Sequence, residues 1–480
     1  MSTITKIPTI LIIGAGPGGL ALYHSIQKNL NGSELKFKVR IFERESGPAD
    51  RWQGYNININ RCGITSLLYC LPSSLQSRLP EAMPDPVPGE HHGFTSIDDT
   101  GNLLMHPPFK QMKNLFEISN SKNEYSFVVS YRNKLRNLLL EDVNVEWNKK
   151  CVGYEEVDDG VWAIFDDGSR VFGDFLVASD GINSPIRKQK IPELKVMDLG
   201  VTYVIVDISP NKKLIDKWMP YFRNSLIHES LGPNGDTVFV VLRRIPVESD
   251  IENRSDDQIH YRMLMYYSYD TDLDIRETES KNFDLNNNNN VDLLVNDDDP
   301  NSVVRHVIER IKKLRKPCEL RDLLIELWEC VPLATPENYE KYPFNTYHAP
   351  RRRQMRDIDP LSVEPWETTR VILLGDAVHA MTPILGLGAN HALRDAVLLT
   401  KKLENFEKEG WKKCFEQYEQ EMRIKSSKGV LASREVILLE KVQKGYIGAI
   451  IRRLMYRMID IKNYFVAFLT DYNILSAPID

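Results

Sequence analysis

The first pattern along the chain is an apolar run that changes within a few residues into helical spacing. Residues 9–13 are apolar or β-branched at every position, which is typical of a strand buried on both faces of a parallel sheet. Glycines follow, and apolar residues then recur at roughly helical spacing, at Leu20, Ala21, Leu22, Ile26 and Leu30. The pattern therefore predicts a strand, a tight turn and a helix.

The turn between this strand and this helix carries the spacing of a dinucleotide-binding loop. Gly14, Gly16 and Gly19 allow a tight turn and let the backbone approach a pyrophosphate, which the start of the helix attracts. A second predicted strand, over residues 38–42, ends at Glu43, near the spacing of ~20 residues expected for a carboxylate that binds ribose hydroxyls. This unit alone does not separate FAD from NAD, and a glycine turn without a ligand stays open.

A second glycine-rich turn lies far along the chain, again between a predicted strand and a predicted helix. An apolar strand predicted over residues 370–374 is followed by Gly375 and Asp376, and a helical pattern runs over residues 392–403. Between them stand Pro383, Gly386, Gly388, Ala389 and Asn390. A strand that ends in Asp beside a second glycine-rich helix start can hold a ribityl hydroxyl and a flavin edge. A plain NAD dehydrogenase does not need this second loop, so the pattern favours bound FAD.

A third signal, Asp180-Gly181, lies between the two glycine-rich turns. With it, the sequence resembles the class A flavoprotein monooxygenases, the fold of para-hydroxybenzoate hydroxylase and of the tetracycline-inactivating monooxygenases. The family pattern is GxGxxG, a middle DG, and a late GDxxHxxxPxxGxGxNxAxxDA, and all three occur here in order. They span nearly the whole chain, and the late motif departs slightly at Val378, where alanine is commoner.

The resemblance implies a set of cofactor-binding residues. Their sequence positions are Gly14, Gly16, Gly19, Glu43, Arg44, Arg51, Arg132, Asp180, Gly181, Gly375, Asp376, Pro383, Gly386, Gly388, Ala389 and Asn390.

Within this set the resemblance implies different roles. Glu43 matches the ribose-binding acid, and Asp376 matches the ligand of the ribityl chain and pyrophosphate. Asp180 matches a residue linked to both FAD and nicotinamide. Arg132 matches the arginine that reaches the flavin cofactor, with a solvated helix arginine as the alternative, and Arg51 is as readily a surface arginine as a nicotinamide contact. His379 belongs to the late motif and is interpreted as a packing and hydrogen-bonding residue.

The resemblance also implies a reaction. NADPH or NADH reduces FAD, dioxygen gives a flavin 4a-hydroperoxide, and an aromatic or other electron-rich small molecule, including a polycyclic one, is hydroxylated. No metal is expected. No catalytic base is assigned, because Tyr203, His228, Arg243 and Tyr266 in the presumed substrate sheet are better explained as structural. Substrate identity, site of hydroxylation and oligomeric state stay open.

Composition narrows the class of protein. The chain has 480 residues and a net charge of −6, which argues against nucleic-acid binding. Its six cysteines are scattered without a CxxC, which favours a reduced, cytoplasmic location and argues against a zinc site. No apolar stretch is long enough to predict a membrane-spanning helix.

The order of the patterns predicts an α/β fold with a Rossmann-like FAD-binding domain that is discontinuous in sequence. Residues 1–190 and 335–402 are assigned to that domain, and residues 191–334 to an antiparallel β-sheet that binds substrate. Within the second range, residues 270–300 are rich in Asn and Asp and are predicted to be a disordered insertion. Residues 403–480 are predicted to form long helices.

The C-terminal helices have two interpretations. Residues 450–468 combine Arg452, Arg453 and Arg457 with the aromatic residues Tyr464, Phe465 and Phe468, a mixture that can lie on a membrane surface. A helix that bridges the two domains and closes the substrate entrance is favoured over it.

Other functions of the same fold stay open. A FAD-dependent reductase would consume nicotinamide without inserting oxygen, and a halogenase would carry a WxWxIP signature, which this sequence lacks. A non-enzymatic binding protein of the FAD fold is disfavoured, because such a protein needs no late motif to hold a flavin ring.

Overall fold

The computed structural model describes residues 7–31, 36–48, 50, 56–83, 91–107, 115–120, 127–208, 210–223, 225–244, 261–275, 295–331, 350–442 and 445–471. Arg51 and the Asn-rich run 286–290 lie outside the described residues.

The strands, in chain order, are β1 (Thr9–Ile13), β2 (Lys38–Phe42), β3 (Asn56–Asn60), β4 (His91–Asp98), β5 (Leu103–Met105), β6 (Phe127–Tyr131), β7 (Val145–Glu146), β8 (Cys151–Val157), β9 (Gly160–Phe165), β10 (Arg170–Gly173), β11 (Phe175–Ala178), β12 (Met197–Ile208), β13 (Ser225–Leu231), β14 (Thr237–Arg244), β15 (Tyr261–Asp270), β16 (Arg353–Asp357) and β17 (Val371–Leu373).

The α-helices, in chain order, are α1 (Pro17–Asn29), α2 (Arg61–Cys70), α3 (Ser73–Gln76), α4 (Leu115–Asn120), α5 (Arg132–Leu140), α6 (Pro185–Lys190), α7 (Lys212–Phe222), α8 (Pro300–Leu314), α9 (Glu319–Glu329), α10 (Asp376–His379), α11 (Gly388–Leu403), α12 (Phe406–Val442) and α13 (Gly445–Asp471). Short 3₁₀ helices cover Leu79–Ala82 and Pro383–Leu385.

A parallel sheet forms the centre of the first half of the molecule. Its strand order is β17-β11-β1-β2-β7, and every neighbouring pair is parallel. The predicted strands over residues 9–13 and 38–42 are confirmed to the residue; β1 is buried from Ile10 onward, and β2 is buried at its last two residues. Since β17 pairs with β11, the first and last thirds of the chain complete one sheet. Helices α1 and α11 pack against each other, and their apolar residues join the core of this sheet.

Two small sheets accompany the parallel one. Strands β8, β9 and β10 form an antiparallel sheet, in which Val171 lies opposite Ala163, as the predicted hairpin requires. Strands β3 and β6 pair antiparallel, with Asn56 opposite Tyr131. This second pair carries Asn56 and Asn58 toward the glycine-rich turn before α11.

The large second sheet differs from the predicted antiparallel one. Its order is β16-β12-β15-β14-β13-β4-β5, and one pair, β13 with β4, is parallel. Strands β4, β5 and β16 lie in ranges that the sequence assigned to the FAD-binding domain. They join the second sheet instead, because strand pairing brings together residues far apart in the chain. The predicted sheet is therefore corrected to a mixed, seven-stranded one.

Along the central strands of this sheet, successive side chains point to opposite faces, and the two faces have different surroundings. Val204, Val240, Met265 and other residues of one face pack against α7, α8 and α9 in a core of their own. The opposite face turns toward the parallel sheet. A space therefore lies between the two sheets, and the second sheet supplies one of its walls.

The predicted disordered insertion is too wide at both ends. Strand β15 continues to Asp270, and α8 already begins at Pro300. Asp274 accepts a hydrogen bond from Arg310 at 2.6 Å and forms an ion pair with Arg352 at 3.0 Å. Opposite charges therefore fix the start of the segment, which composition alone described as disordered.

The predicted C-terminal helices are present as α12 and α13. Helix α12 contacts both halves of the molecule: it packs along α11, and its Arg434 binds Asp357 of β16 with two hydrogen bonds of 2.8 Å. None of the helices in the described ranges combines the length and the apolar character needed to cross a bilayer.

Candidate functional site

A cavity of about 340 Å³ opens between the parallel sheet and the second sheet. The starts of two long helices meet there: residues 16–19 at the beginning of α1 and residues 388–389 at the beginning of α11. Neither helix has a side-chain cap at its first turn. The first backbone N–H groups of both helices therefore lack partners within the helix and favour an anionic ligand.

Gly14 explains why the first turn needs glycine. Its φ is +108°, and a Cβ there would lie 2.4 Å from the carbonyl oxygen of Ser179. Its N–H donates to the carbonyl oxygen of Phe42 at 2.8 Å. Gly14 does not line the cavity; it packs the ends of three parallel strands together so that Gly16 and Gly19 can line it.

Glu43 lies directly beneath the first glycine turn. Its Oε2 accepts a hydrogen bond from the N–H of Ala15 at 2.8 Å, and its carboxylate is 3.7 Å from Arg136. Arg136, which the sequence analysis missed, is buried, donates to the carbonyl oxygen of Ala15 at 2.8 Å and pairs with Glu45 at 2.7 Å. Glu43 thus supports the first glycine turn. Ribose binding by Glu43 stays a prediction. Arg136 follows Arg132 by one helical turn. This spacing is the sequence signal that could have identified Arg136 as a residue of the same helix face.

Asp180 is buried behind the cavity wall formed by Ser179 and Gly181. Neither of its carboxylate oxygens has a hydrogen-bond partner among the described residues. Burial raises the pKa of Asp180 to about 6, while the nearby Ser184 hydroxyl and the guanidinium groups of Arg187 and Arg44 limit the rise. Arg44 itself is exposed. An incompletely satisfied buried carboxylate beside a cavity is typical of a functional site.

Arg187 ties the middle motif to the late one. Its buried guanidinium donates to the carbonyl oxygen of Ile182 at 2.7 Å and to that of Ala377 at 3.0 Å. The two segments are far apart in sequence, so this side chain fixes the relative position of Gly181 and Asp376. Sequence reasoning quoted Arg187 within the motif but gave it no role.

Asp376 lines the cavity, and its side chain is exposed there among neighbours that are buried. Burial raises the pKa of its carboxyl, and the charges of His379 and Arg132 act in the opposite direction. Arg132 lines the same end of the cavity, with its Nη2 3.8 Å from the place of a Cβ on Gly16. Arg132 therefore lies at the start of α1, while Oδ1 of Asp376 lies 3.7 Å from the place of a Cβ on Gly388, at the start of α11.

The buried Asp395 carboxylate holds the turn that presents Asp376. Gly375 has a φ of +64°, and its N–H donates to Oδ2 of Asp395 at 3.1 Å. The same Oδ2 lies 2.5 Å from Nε2 of buried His379. Burial lowers the pKa of His379, but the Asp395 carboxylate outweighs it, so that the pKa is raised. His379 is thus a hydrogen-bonding residue of the core, as predicted.

Asn390 is not among the residues that line the cavity. Its Nδ2 donates to the carbonyl oxygens of Asn58 at 2.9 Å and Gly386 at 2.8 Å, and its Oδ1 accepts the N–H of Asn60 at 3.0 Å. These contacts leave the amide engaged with backbone groups. The Asn390 side chain therefore joins β3 to the second glycine turn, and its contact with the cofactor stays a prediction.

The wall contributed by the second sheet is apolar. Ile205, Phe239, Val241, Leu264 and Tyr266 come from the adjacent strands β12, β14 and β15 and line the cavity together. Ile205 and Phe239 both lie opposite Tyr266, and Val241 lies opposite Leu264, so the five side chains share one face. Met381 and Ile384 extend this surface from the late motif. The sequence identified Tyr266 as a resident of this sheet but did not find the wall.

The other side chains considered in this sheet have different positions. Tyr203 stacks on Tyr266 with ring centroids 5.2 Å apart. His228 is buried against α7, where Nε1 of Trp218 donates to its Nδ1 at 3.1 Å, and burial lowers its pKa to about 3. His228 is therefore structural, as predicted. The side chain of Arg243 lies outside the described residues.

The structure brings most of the predicted residues to one cavity. Those that line it are Gly16, Gly19, Arg132, Gly181, Gly375, Asp376, Pro383, Gly386, Gly388 and Ala389. Gly14, Glu43, Arg44, Asp180 and Asn390 lie behind or beside that lining.

The lining suits a flavin dinucleotide. Two uncapped helix starts offer N–H groups to phosphates, Asp376 and Arg132 offer polar contacts, and an apolar wall faces them across the cavity. Just behind this lining, the Asp180 oxygens have no hydrogen-bond partner among the described residues.

Comparison with known proteins agrees with this geometry. The family model of the FAD binding domain matches residues 345–431. The chain is 25% identical over 460 residues to the FAD-dependent monooxygenase thnD of Trichoderma harzianum, covering 90% of this chain and 94% of the relative.

Solved structures show the same likeness. A putative FAD containing monooxygenase from Photorhabdus luminescens is 26% identical and superposes with a TM-score of 0.67, over 91% of this chain and 99% of the other. HpxO of Klebsiella pneumoniae, solved in complex with FAD and uric acid, is 18% identical with a TM-score of 0.62, over 90% and 89% of the two chains, and shows the fold alone.

The fold and the cavity define a flavoprotein with the class A monooxygenase architecture. With these comparisons, the chain is a FAD-dependent monooxygenase, and the predictions of fold, bound FAD and enzyme class are confirmed.

Proposed function

We propose that the chain hydroxylates an electron-rich, planar small molecule, aromatic or polycyclic, with NADPH or NADH as diffusible reductant and dioxygen as the oxygen source. The observation that carries the proposal is the two-sided cavity: glycine turns with Asp376 and Arg132 on one side, and the wall of Ile205, Phe239 and Tyr266 on the other. A flat apolar wall favours a flat apolar ligand.

The chain's own groups bind, orient and exclude water. The first N–H groups of α1 and α11 and the Arg132 guanidinium hold phosphate oxygens, while Asp376 accepts hydrogen bonds from cofactor hydroxyls. FAD, when bound, supplies the redox chemistry. The apolar wall keeps water from the reacting face.

The lining also bears on the choice of substrate. Among the described residues that line the cavity, the ionisable side chains are Arg132, Asp376 and Tyr266. Asp376 and Arg132 belong to the cofactor side, so the substrate side offers the phenol of Tyr266 and no imidazole or amine. A substrate that is already nucleophilic, such as a phenol or an enol, fits this wall best. The uric acid bound by HpxO is likewise a planar, electron-rich heterocycle.

A cytoplasmic location is part of the proposal. It is supported by the cysteines, all six of which are free, as expected where thiols stay reduced, and by the cytoplasmic supply of nicotinamide.

The test uses the purified full chain with its flavin. Phenols and polycyclic phenols are screened for faster bleaching of the flavin band by NADPH or NADH without oxygen. The reaction is then run under ¹⁸O₂, and one labelled oxygen atom in the product is expected. Nicotinamide consumption without labelled product would replace the proposal with a reductase, and a halogenated product formed in chloride would replace it with a halogenase. Absence of a flavin band after incubation with FAD would favour a binding protein.

A further inference from the structure

Helix α13 docks through its polar face. Its buried positions include Gly448, Arg452, Tyr456, Asp460 and Asn463, which recur every three or four residues along one side. In most helices that pack on a soluble protein, the buried stripe is the apolar one. Here the pattern is reversed.

Specific contacts fix this orientation. Nη2 of Arg452 donates to the carbonyl oxygen of Gly232 at 2.7 Å, and Oδ1 of Asp460 accepts the N–H of His106 at 3.0 Å. Arg453 forms an ion pair with Asp98. Tyr456 packs with Leu104 and Leu231 at the edge of the second sheet. A rotation that buried the opposite face would break these contacts together.

The opposite face carries an apolar stripe toward solvent. Its members are Ile447, Ile451, Leu454, Met458, Ile461 and Phe465, each between 50% and 74% exposed. Their spacing alternates between four and three residues, which places all six along one line of the helix. Ile450 and Tyr464 are also exposed and widen the stripe. A contiguous apolar surface of this kind marks an interaction site.

The charges beside the apolar stripe indicate which kind of partner it contacts. Over the described side chains of α13, the exposed groups that are charged at neutral pH are Arg453, Arg457 and Lys462, and all three are cationic. At ~100° per residue, Arg457 lies about 60° to one side of Leu454 and Lys462 about 80° to the other. An apolar stripe with a cation on each edge matches a helix that lies in a membrane interface, where long basic side chains reach the phosphates.

We propose that α13 lies on an anionic membrane surface, with the apolar stripe in the boundary between headgroups and acyl chains. Anionic lipids complement the cationic edges. Pairing of two copies through the same stripe would instead bring the cationic edges of both helices together. The proposed contact is peripheral, and the polar face of α13 stays docked on the second sheet.

The first experiment is cosedimentation of the full flavin-loaded chain with vesicles. Binding is expected to phosphatidylcholine vesicles that contain phosphatidylserine, and added salt should weaken it. The double variant Leu454→Glu, Met458→Glu should lose binding. The matched control, Leu361→Glu with Val152→Glu, alters two exposed apolar side chains outside α13 and should bind like the unaltered chain. The flavin absorbance of each variant confirms that it is folded.

A second double variant separates charge from apolar contact. Arg457→Gln with Lys462→Gln should lower partition to anionic vesicles about 25-fold, roughly fivefold per cation removed, with little change on pure phosphatidylcholine. The proposal is overturned if the unaltered chain binds no vesicles, or if Leu454→Glu, Met458→Glu leaves binding unchanged. Light scattering without lipid tests for a dimer. A dimer that dissociates in the Leu454→Glu, Met458→Glu variant would assign the stripe to a second copy instead.

Discussion

Nε2 of His379 lies 2.5 Å from Oδ2 of Asp395, and the same carboxylate oxygen accepts the N–H of Gly375. One buried pair therefore supports the turn from which Asp376 reaches the cavity. The arrangement links protonation of a histidine in the core to the shape of the cofactor site.

The pair makes stability depend on pH. The Asp395 carboxylate raises the pKa of His379 in the folded chain above its unfolded value of about 6.5, so the stabilisation is complete below pH 6.5 and is lost as pH rises through the folded value. His379→Asn should cost about 3 kcal/mol at pH 6, and the cost should shrink toward pH 9. Urea unfolding of both proteins measures it.

His24 provides the control for that experiment. Burial lowers the pKa of His24, so its stabilising contribution is present above pH 6.5 and is lost as pH falls. The cost of His24→Asn should therefore change with pH in the opposite direction. If both variants follow the same trend, the assigned roles are wrong.

Asp180 should lower the stability of the folded chain at neutral pH. Because burial raises its pKa to about 6, the penalty is absent below pH 3.8 and complete once pH exceeds the folded value. Asp180→Asn should raise the free energy of unfolding of the flavin-free chain by up to about 3 kcal/mol at pH 8, with no gain near pH 4. The same variant should bind FAD less tightly. Asp159→Asn, on the surface, should change neither quantity.

Asp376→Ala should weaken FAD binding by at least about tenfold, because a charge-assisted hydrogen bond is lost in a buried site. The ratio of flavin absorbance to protein absorbance after desalting measures the loss. Glu364→Ala removes an exposed carboxylate before β17 and should retain the full ratio. A variant at Asp376 that kept its flavin would remove this residue from the site.

Phe239→Ser tests the substrate wall apart from the cofactor. Loss of an apolar contact should raise KM for the substrate about tenfold, with an unchanged flavin spectrum. Phe116→Ser alters an exposed phenylalanine of α4 and should leave KM unchanged. Loss of flavin in Phe239→Ser would instead place this side chain against the cofactor.

The sequence predicted the cofactor half well, since its signals are local. Burial on both faces defines β1, and glycine is required where Gly14 meets Ser179. The apolar wall was not predicted, because alternation shows that β14 has two faces but not which one meets the flavin. For the same reason, the amphipathic pattern of α13 was visible while the identity of its docked face was not.

Asn390 illustrates a different limit. A motif shows that an amide is required but not what it binds, and three backbone partners become evident only when β3 lies beside α11. Arg136 was missed for a related reason: its partners, Ala15 and Glu45, lie in the segments that follow β1 and β2.

The mixed second sheet determines which chain segments must be exchanged together to transfer substrate specificity between relatives. Strands β4 and β5 enter it from one side of the chain and β16 from the other, around the central block from β12 to β15. A graft of residues 191–334 alone would leave three host strands at the borders of a foreign sheet. A working chimera should therefore carry all three segments from one parent, and recombination points between them should yield insoluble protein.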